Sequence, residues 1–303
     1  MSPEGGLRHS AFLYESDDEY ATRAAAFLRE GLRLGERSVV AHNRAGLALM
    51  REALGPDADA VTYVDLGLRY SRPARAVADY YGSFLEQLRS GPSVRAVAEM
   101  QLGPTLDDWA EWESYEAITN VAYAHLPVWV VCTYGARTVP EPILEGVLRT
   151  HADHLVGDGW VESDRYEDPR AAVERLTPAP EPLPDLRSWS AGDDLERFRE
   201  RLARDLMAEE VPQARALDML VAATEVAANA VRHGGGIEEV RVGRADGRFV
   251  CEVVDRGAGF DDPLAGYRAP GAGAGTGLWI ARQLTWRLEA FHAPRGFVVR
   301  MWL

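Results

Sequence analysis

A run of alternating prolines, "LTPAPEPLPDLRS" (Leu176 to Ser188), constrains this chain more than any other stretch. Pro178, Pro180, Pro182 and Pro184 remove a backbone donor at every second position, so neither a helix interior nor a central strand can run through them. The segment reads as a semi-extended linker, taken here as residues 166–188. A length of 303 residues exceeds most single cores, so one domain is expected on each side.

Before the linker, helical and strand-like segments alternate. "EYATRAAAFLREGLRLG", "AGLALMREALG", "ARAVADYYGSFLEQLRS" and "LDDWAEWESYEAITNVAYAH" carry helical periodicity, while "SVVAHN", "AVTYVDL", "SVRAVAEM" and "VWVVCTYG" are short apolar runs. This alternation implies an α/β domain built on a parallel sheet. Such sheets bind ligands beyond the carboxyl ends of their strands, yet the phosphate loop G-x-x-x-x-G-K-[ST] is missing. The expectation is a RecA-like arrangement without a Walker A loop. After the linker come two helices, a hairpin turning at Asp246-Gly247, a glycine-rich loop, a further helix and a last strand. Helices grouped against an antiparallel sheet make this an α+β, two-layer domain.

A formal charge of −14 with no stripe of Lys and Arg argues against a nucleic-acid partner and leaves basic or mixed protein surfaces as the easier match. Cys132 and Cys251 lie in separate apolar runs with no paired spacing, which suggests a reducing compartment. The N-terminus lacks the pattern of a secretory signal, and no apolar run approaches the about 18–20 residues of a membrane span. A cytoplasmic protein is expected.

Three motifs recur in order after the linker: "EVAANAVRHG", "VVDRGAGF" and "GAGAGTGLWIARQL". Alone, each has a bland reading. Glu225 could be a solvated helix acid, Asp255 a turn former, and the glycines of "GAGAG" a plain loop. His233 reads as a helix C-terminal residue before Gly234, favoured by the dipole. Together, at these spacings, the motifs resemble the nucleotide site of the GHKL (Bergerat-type) ATPase superfamily over residues 189–303. The resemblance implies ATP and Mg²⁺ as cofactors. It makes Asn229 the metal ligand, Glu225 the general base and Asp255 the reader of the adenine amine. Gly257 and Gly259 allow close approach of the base, and Gly275, Thr276 and Gly277 belong to the phosphate loop. The chemistry fits. An amide oxygen suits a hard Mg²⁺, a carboxylate one turn earlier can take a proton, and a helix N-terminus after glycines favours phosphate.

The helix "DDLERFRERLARDLMAEE" has no phosphoacceptor His, and the segment between Gly259 and Gly275 is short. The domain therefore most resembles the anti-sigma-factor serine kinases. That implies a sigma factor and an anti-anti-sigma (STAS) protein as partners, a serine of the latter as phosphate acceptor, and possible homodimers. One departure stands out: where the family usually has a Thr just after the glycine of the last strand, this chain has Phe297 after Gly296. A non-catalytic sigma- or STAS-binding regulator is therefore the alternative, and a metabolic ATPase without a protein partner is a more distant one.

In the first domain, "HSAFLYES" and "WESYEAITNVAYAHLPVWVVCTYGARTVPEPILEGVLRTH" resemble the MEDS sensory domain over residues 7–165, which implies small-molecule sensing. The matching positions are His9, Tyr14, Tyr115, Glu116, Asn120, Cys132 and Tyr134. Candidate ligand contacts are His9, Tyr14, Glu99, Tyr115, Glu116 and Tyr134, with Glu99 and Tyr134 expected to face a common crevice at the strand ends. The competing readings are a small core residue for Cys132, a satisfied structural histidine for His9, and a core stripe for Trp109, Trp112 and Tyr115.

Overall fold

The computed structural model describes residues 5–66, 73–99, 106–177, 179–268 and 275–303. The chain forms two compact units, Met1–Thr177 and Pro178–Leu303.

In the first unit the strands are β1 (Arg8–Tyr14), β2 (Arg37–His42), β3 (Val61–Asp65), β4 (Val94–Glu99), β5 (Val128–Gly135), β6 (Asp153–Val156) and β7 (Gly159–Glu162). They form a single sheet in the order β3-β2-β4-β5-β1-β6-β7, parallel throughout except for the β6–β7 hairpin. The expected parallel α/β architecture is present. Between the strands run α1 (Asp17–Arg33), α2 (Arg44–Leu54), α3 (Pro73–Leu88), α4 (Leu106–Ala122) and α5 (Glu141–Thr150). Local chemistry sets their starts. Ser16 accepts from the Glu19 N–H at the head of α1, whose first turn carries Asp17, Asp18 and Glu19, and Asn43 accepts from the Gly46 N–H at the head of α2.

Strand alternation divides the side chains between two faces. Helices α1 and α2 pack together over one face, around Phe12, Leu28, Val40, Met50, Val97 and Val131. Helix α4 packs with α3 and α5 over the other. There the strands present Ala41, Ala96 and Ala98, too short to fill the space below Phe84 and Tyr115, and a cavity of about 60 Å³ results. Strand β5 is buried along its whole length, as its apolar sequence requires. Neighbouring strands β1 and β5 feed helices on opposite faces, so the chain parts above their carboxyl ends.

The segment expected as a linker, 166–188, is more structured than its composition suggests. Helix α6 (Pro169–Leu176) begins on an Asp168 cap that accepts from the N–H groups of Arg170 and Ala171, and it packs on α4. Further on, Leu183 and Leu186 pack beside Val250 and Trp302 of the second unit.

The second unit is a five-stranded antiparallel sheet in the order β11-β12-β10-β9-β8. Its strands are β8 (Arg187–Trp189), β9 (Ile237–Ala245), β10 (Arg248–Asp255), β11 (Arg287–Ala293) and β12 (Gly296–Trp302). The expected β9–β10 hairpin turns at Asp246 (φ 50°) and Gly247 (φ 73°), the two positive angles a tight hairpin of this hand needs. Helices α7 (Leu195–Ala208), α8 (Gln213–His233) and α9 (Gly277–Leu284) complete the unit. Phe198, Leu202 and Met219 meet Val242, Cys251 and Val299 in one core, and Ala222, Ala223, Ala227 and Ala230 give α8 an alanine face within it. Both cysteines are buried and free. Among the described residues no helix is long and apolar enough to cross a membrane.

Candidate nucleotide site and sensor cavity

The helical repeat of α8 sets Glu225 and Asn229 one turn apart on one face. Gly277, the first residue of α9, packs directly against both. A Cβ there would stand 2.8 Å from Glu225 Oε2 and 3.2 Å from Asn229 Nδ2. Neither polar side chain has a hydrogen-bond or ion-pair partner among the described residues. Thr276 precedes α9 without a side-chain cap, which among the described residues leaves the first N–H groups of the helix open beside them. Gly275 and Thr276 are exposed, and the part of the glycine-rich loop at 269–274 lies outside the described residues.

Asp255 closes β10, and its Oδ1 accepts from the Gly257 N–H at 2.8 Å. Burial raises its pKa; the Gly257 bond and His292 pull the other way. The end of α8 meets it, since a Cβ at Gly234 would fall 2.5 Å from Asp255 Cγ. Gly259 has φ 62°, and a Cβ there would lie 2.1 Å from the Phe297 ring. Phe297 is only 2% exposed and packs edge-on against Phe260 at 4.9 Å. An aromatic floor therefore stands under the D-x-G-x-G turn, at the position of the Phe297 departure noted in the sequence. His233 is exposed at the end of α8. The residues present fit a nucleotide: among the described residues there are an open helix N-terminus, two unpartnered polar side chains, and glycine surfaces that a Cβ would fill. Gly277→Val should push a side chain between Glu225 and Asn229 and lower Mg–ATP affinity at least about tenfold, with the fold retained by circular dichroism.

In the first unit, the sensor candidates separate into two polar clusters on opposite sheet faces. At the strand ends on the α1 face, Tyr14 Oη donates to Glu99 Oε1 at 2.9 Å and Thr133 Oγ1 to Glu99 Oε2 at 2.5 Å; His42 Nε2 is 3.9 Å from Oε2. Burial raises the pKa of Glu99 and lowers that of His42. On the α4 face, Tyr134 Oη donates to Glu116 Oε1 at 2.9 Å, and Glu116 Oε2 lies 3.0 Å from His9 Nε2. Cys132 and His151 close this second cluster. Burial would raise the Glu116 carboxyl, but the bond with His9, the neighbouring imidazoles and the Tyr134 hydroxyl outweigh it and hold the group low. Burial pushes the Cys132 thiol well up and takes His151 down to about 3. The expected shared crevice for Glu99 and Tyr134 is therefore corrected: strand alternation turns Tyr134 toward α4, whereas the Glu99 carboxylate is held by Tyr14 and Thr133. The cavity touches both clusters through His9, Glu116, Cys132 and Glu99, and Tyr115 forms part of its wall. His42, Thr133 and His151 were missed as candidates. Only His42, the last residue of β2, carried a signal, its strand-end position.

Burial of Glu99 has a pH consequence with a defined sign. Its folded pKa lies above the unfolded value of 4.5, so the stability it contributes is full below that value and is lost as pH rises through the folded pKa. Thermal unfolding of wild type and Glu99→Gln should diverge as pH rises, with wild type losing ground. A constant difference from pH about 4 to about 8 would refute this assignment.

Two family models match the chain. Residues 8–152 match MEDS, the MEthanogen/methylotroph, DcmR Sensory domain, and residues 189–303 match the histidine kinase-like ATPase domain. The first unit thus carries a MEDS sensory domain and the second a histidine kinase-like ATPase domain. No curated protein matches the chain. The ATPase-like domain implies ATP binding, typically with Mg²⁺, and the pairing with a sensory domain suggests a regulatory, kinase-like protein.

Proposed function

We propose that this chain is a cytoplasmic anti-sigma factor with serine kinase activity. It binds Mg–ATP in the second unit, phosphorylates a serine of a STAS partner and holds a sigma factor, under control of a small molecule bound in the first unit. The observation that carries the reading is the meeting of Glu225, Asn229 and the glycine start of α9 in one place. When bound, Mg–ATP supplies the phosphoryl group for transfer. Asn229 offers its amide oxygen to the metal, and Glu225 takes the proton of the attacking serine hydroxyl. Asp255 holds the base by its carboxylate, with the Gly257 N–H fixing the orientation. The N-terminus of α9 would hold the phosphates through its first N–H groups.

Incubation of the chain with Mg–ATP and a STAS protein from the same genome, followed by phosphoserine mapping, tests this reading. Transfer to serine supports it, and absence of both transfer and nucleotide binding refutes it. Phe297 favours a second reading, a non-catalytic sigma- or STAS-binding regulator, because its buried ring removes the family's hydroxyl from the base pocket. Partner binding without phosphate transfer would select it.

A further inference from the structure

The cluster under α4 has a feature that small-molecule sensing leaves unused. His9 Nε2, Glu116 Oε2, Cys132 Sγ and a nitrogen of His151 all lie within 4.8 Å of one another, and all four residues are buried. Individual edges are 3.0 Å (His9–Glu116), 3.4 Å (His9–Cys132), 3.7 Å (Cys132–Glu116) and 3.8 Å (His151–Glu116). A tetrahedral ion with bonds of about 2.0–2.3 Å spaces its ligand atoms about 3.3–3.8 Å apart.

The surroundings aim the lone pairs inward. Asn120 Nδ2 donates to the Glu116 and Thr150 carbonyls, which turns its Oδ1 toward His9 Nδ1 at 3.2 Å. His9 therefore donates from Nδ1 and presents Nε2 to the cluster. His151 Nδ1 lies 2.9 Å from the Val147 carbonyl, so its Nε2 also faces inward, and that nitrogen has no hydrogen-bond partner although His151 is 0% exposed. Tyr134 occupies Glu116 Oε1 and leaves Oε2 to the others. Histidines that bind metals are held in this way, each giving its second N–H to a carbonyl or amide oxygen.

His9 Nε2 and Glu116 Oε2, 3.0 Å apart and both acceptors in this arrangement, need a shared proton or a cation between them. A proton on His9 serves that pair alone and leaves His151 Nε2 bare in the core, at the cost of an unsatisfied buried group. A dication serves all four atoms. A Cys132 thiolate and the Glu116 carboxylate would also cancel its charge, so no net charge is buried. We infer that His9, Glu116, Cys132 and His151 form a buried site for one divalent transition-metal ion of the zinc class. Imidazole and thiolate together favour that class over Mg²⁺ or Ca²⁺, which prefer all-oxygen shells. Three of the four ligands line the cavity, so the ion would form part of its wall. The inference goes beyond the kinase reading and does not depend on it.

The test uses the full chain, stripped with a chelator and titrated with Zn²⁺ against a chromophoric competitor, and separately with Co²⁺. The expected result is about one equivalent of Zn²⁺ bound at submicromolar affinity. Co²⁺ should give the intense visible bands of a tetrahedral complex and a near-ultraviolet thiolate band. Cys132→Ser should lose the thiolate band and weaken Zn²⁺ binding more than about 100-fold. Asn120→Ala, which removes only the orienting amide, should weaken it about 10–100-fold while keeping the thiolate band. The wild-type titrations decide the matter even if a variant fails to fold. Failure to take up Zn²⁺ in the micromolar range overturns the site, and so does a weak, octahedral Co²⁺ spectrum. A thiolate band unchanged in folded Cys132→Ser would place the ion elsewhere and overturn it equally.

Discussion

Glu225→Ala should abolish phosphate transfer to a STAS serine while leaving Mg–ATP affinity within a few-fold of wild type. A general base contributes about 10²–10⁴-fold, so the loss in transfer rate should fall in that range or beyond detection. The carboxylate has no partner among the described residues, and its removal leaves no buried group unsatisfied, so the fold should not suffer. Asn229→Ala should behave differently. Its amide oxygen is the one proposed to take Mg²⁺, so both nucleotide affinity and transfer should drop. Parallel calorimetry and transfer assays separate the two. Equal losses of binding in both variants would show that Glu225 holds the nucleotide and is not the base.

The second large effect concerns Phe297. Its ring is 2% exposed, lies under Gly259, and contacts Phe260 and His292 at centroid distances of 4.9 and 5.1 Å. Phe297→Ala should cost the second unit about 3–5 kcal/mol, the range for emptying a buried aromatic site. Hydrogen exchange along β10 and β12 reads this out locally, because Phe297 pairs with Asp255 in that ladder. Phe297→Thr should lose comparable stability and return a hydroxyl to the base pocket. A rise in ATP affinity in that variant would show that the ring limits binding of the base; unchanged affinity would show that Asp255 suffices.

The elements of the candidate nucleotide site were legible because their signals are local. Glu225 and Asn229 share a face by helical repeat, and Asp255-Arg256-Gly257 announces a turn at a strand end. Contact of Gly277 with both α8 residues was not readable from spacing, since the two helices meet only in the folded unit. The parallel sheet followed from the alternation of strands and helices, but its strand order did not, because pairing β1 with β5 depends on burial across the whole domain. Composition concealed α6 and β8 behind the prolines, although Asp168-Pro169 is itself a helix-start signal. The four-residue cluster under α4 was the least readable feature. Its members come from β1, α4, β5 and the residue after α5, and the groups that orient them, the Asn120 side chain and the Val147 backbone carbonyl, carry no spacing motif.

The central claim is a Mg²⁺-dependent nucleotide site built from α8, the end of β10 and the start of α9. Titration of the full chain with ATP in a calorimeter, with and without Mg²⁺ and repeated on Gly277→Val, tests it most directly. Saturable binding of about one ATP per chain is expected, strengthened by Mg²⁺ and at least about tenfold weaker in the variant. No binding heat in the wild type, or binding indifferent to both Mg²⁺ and Gly277→Val, would contradict it.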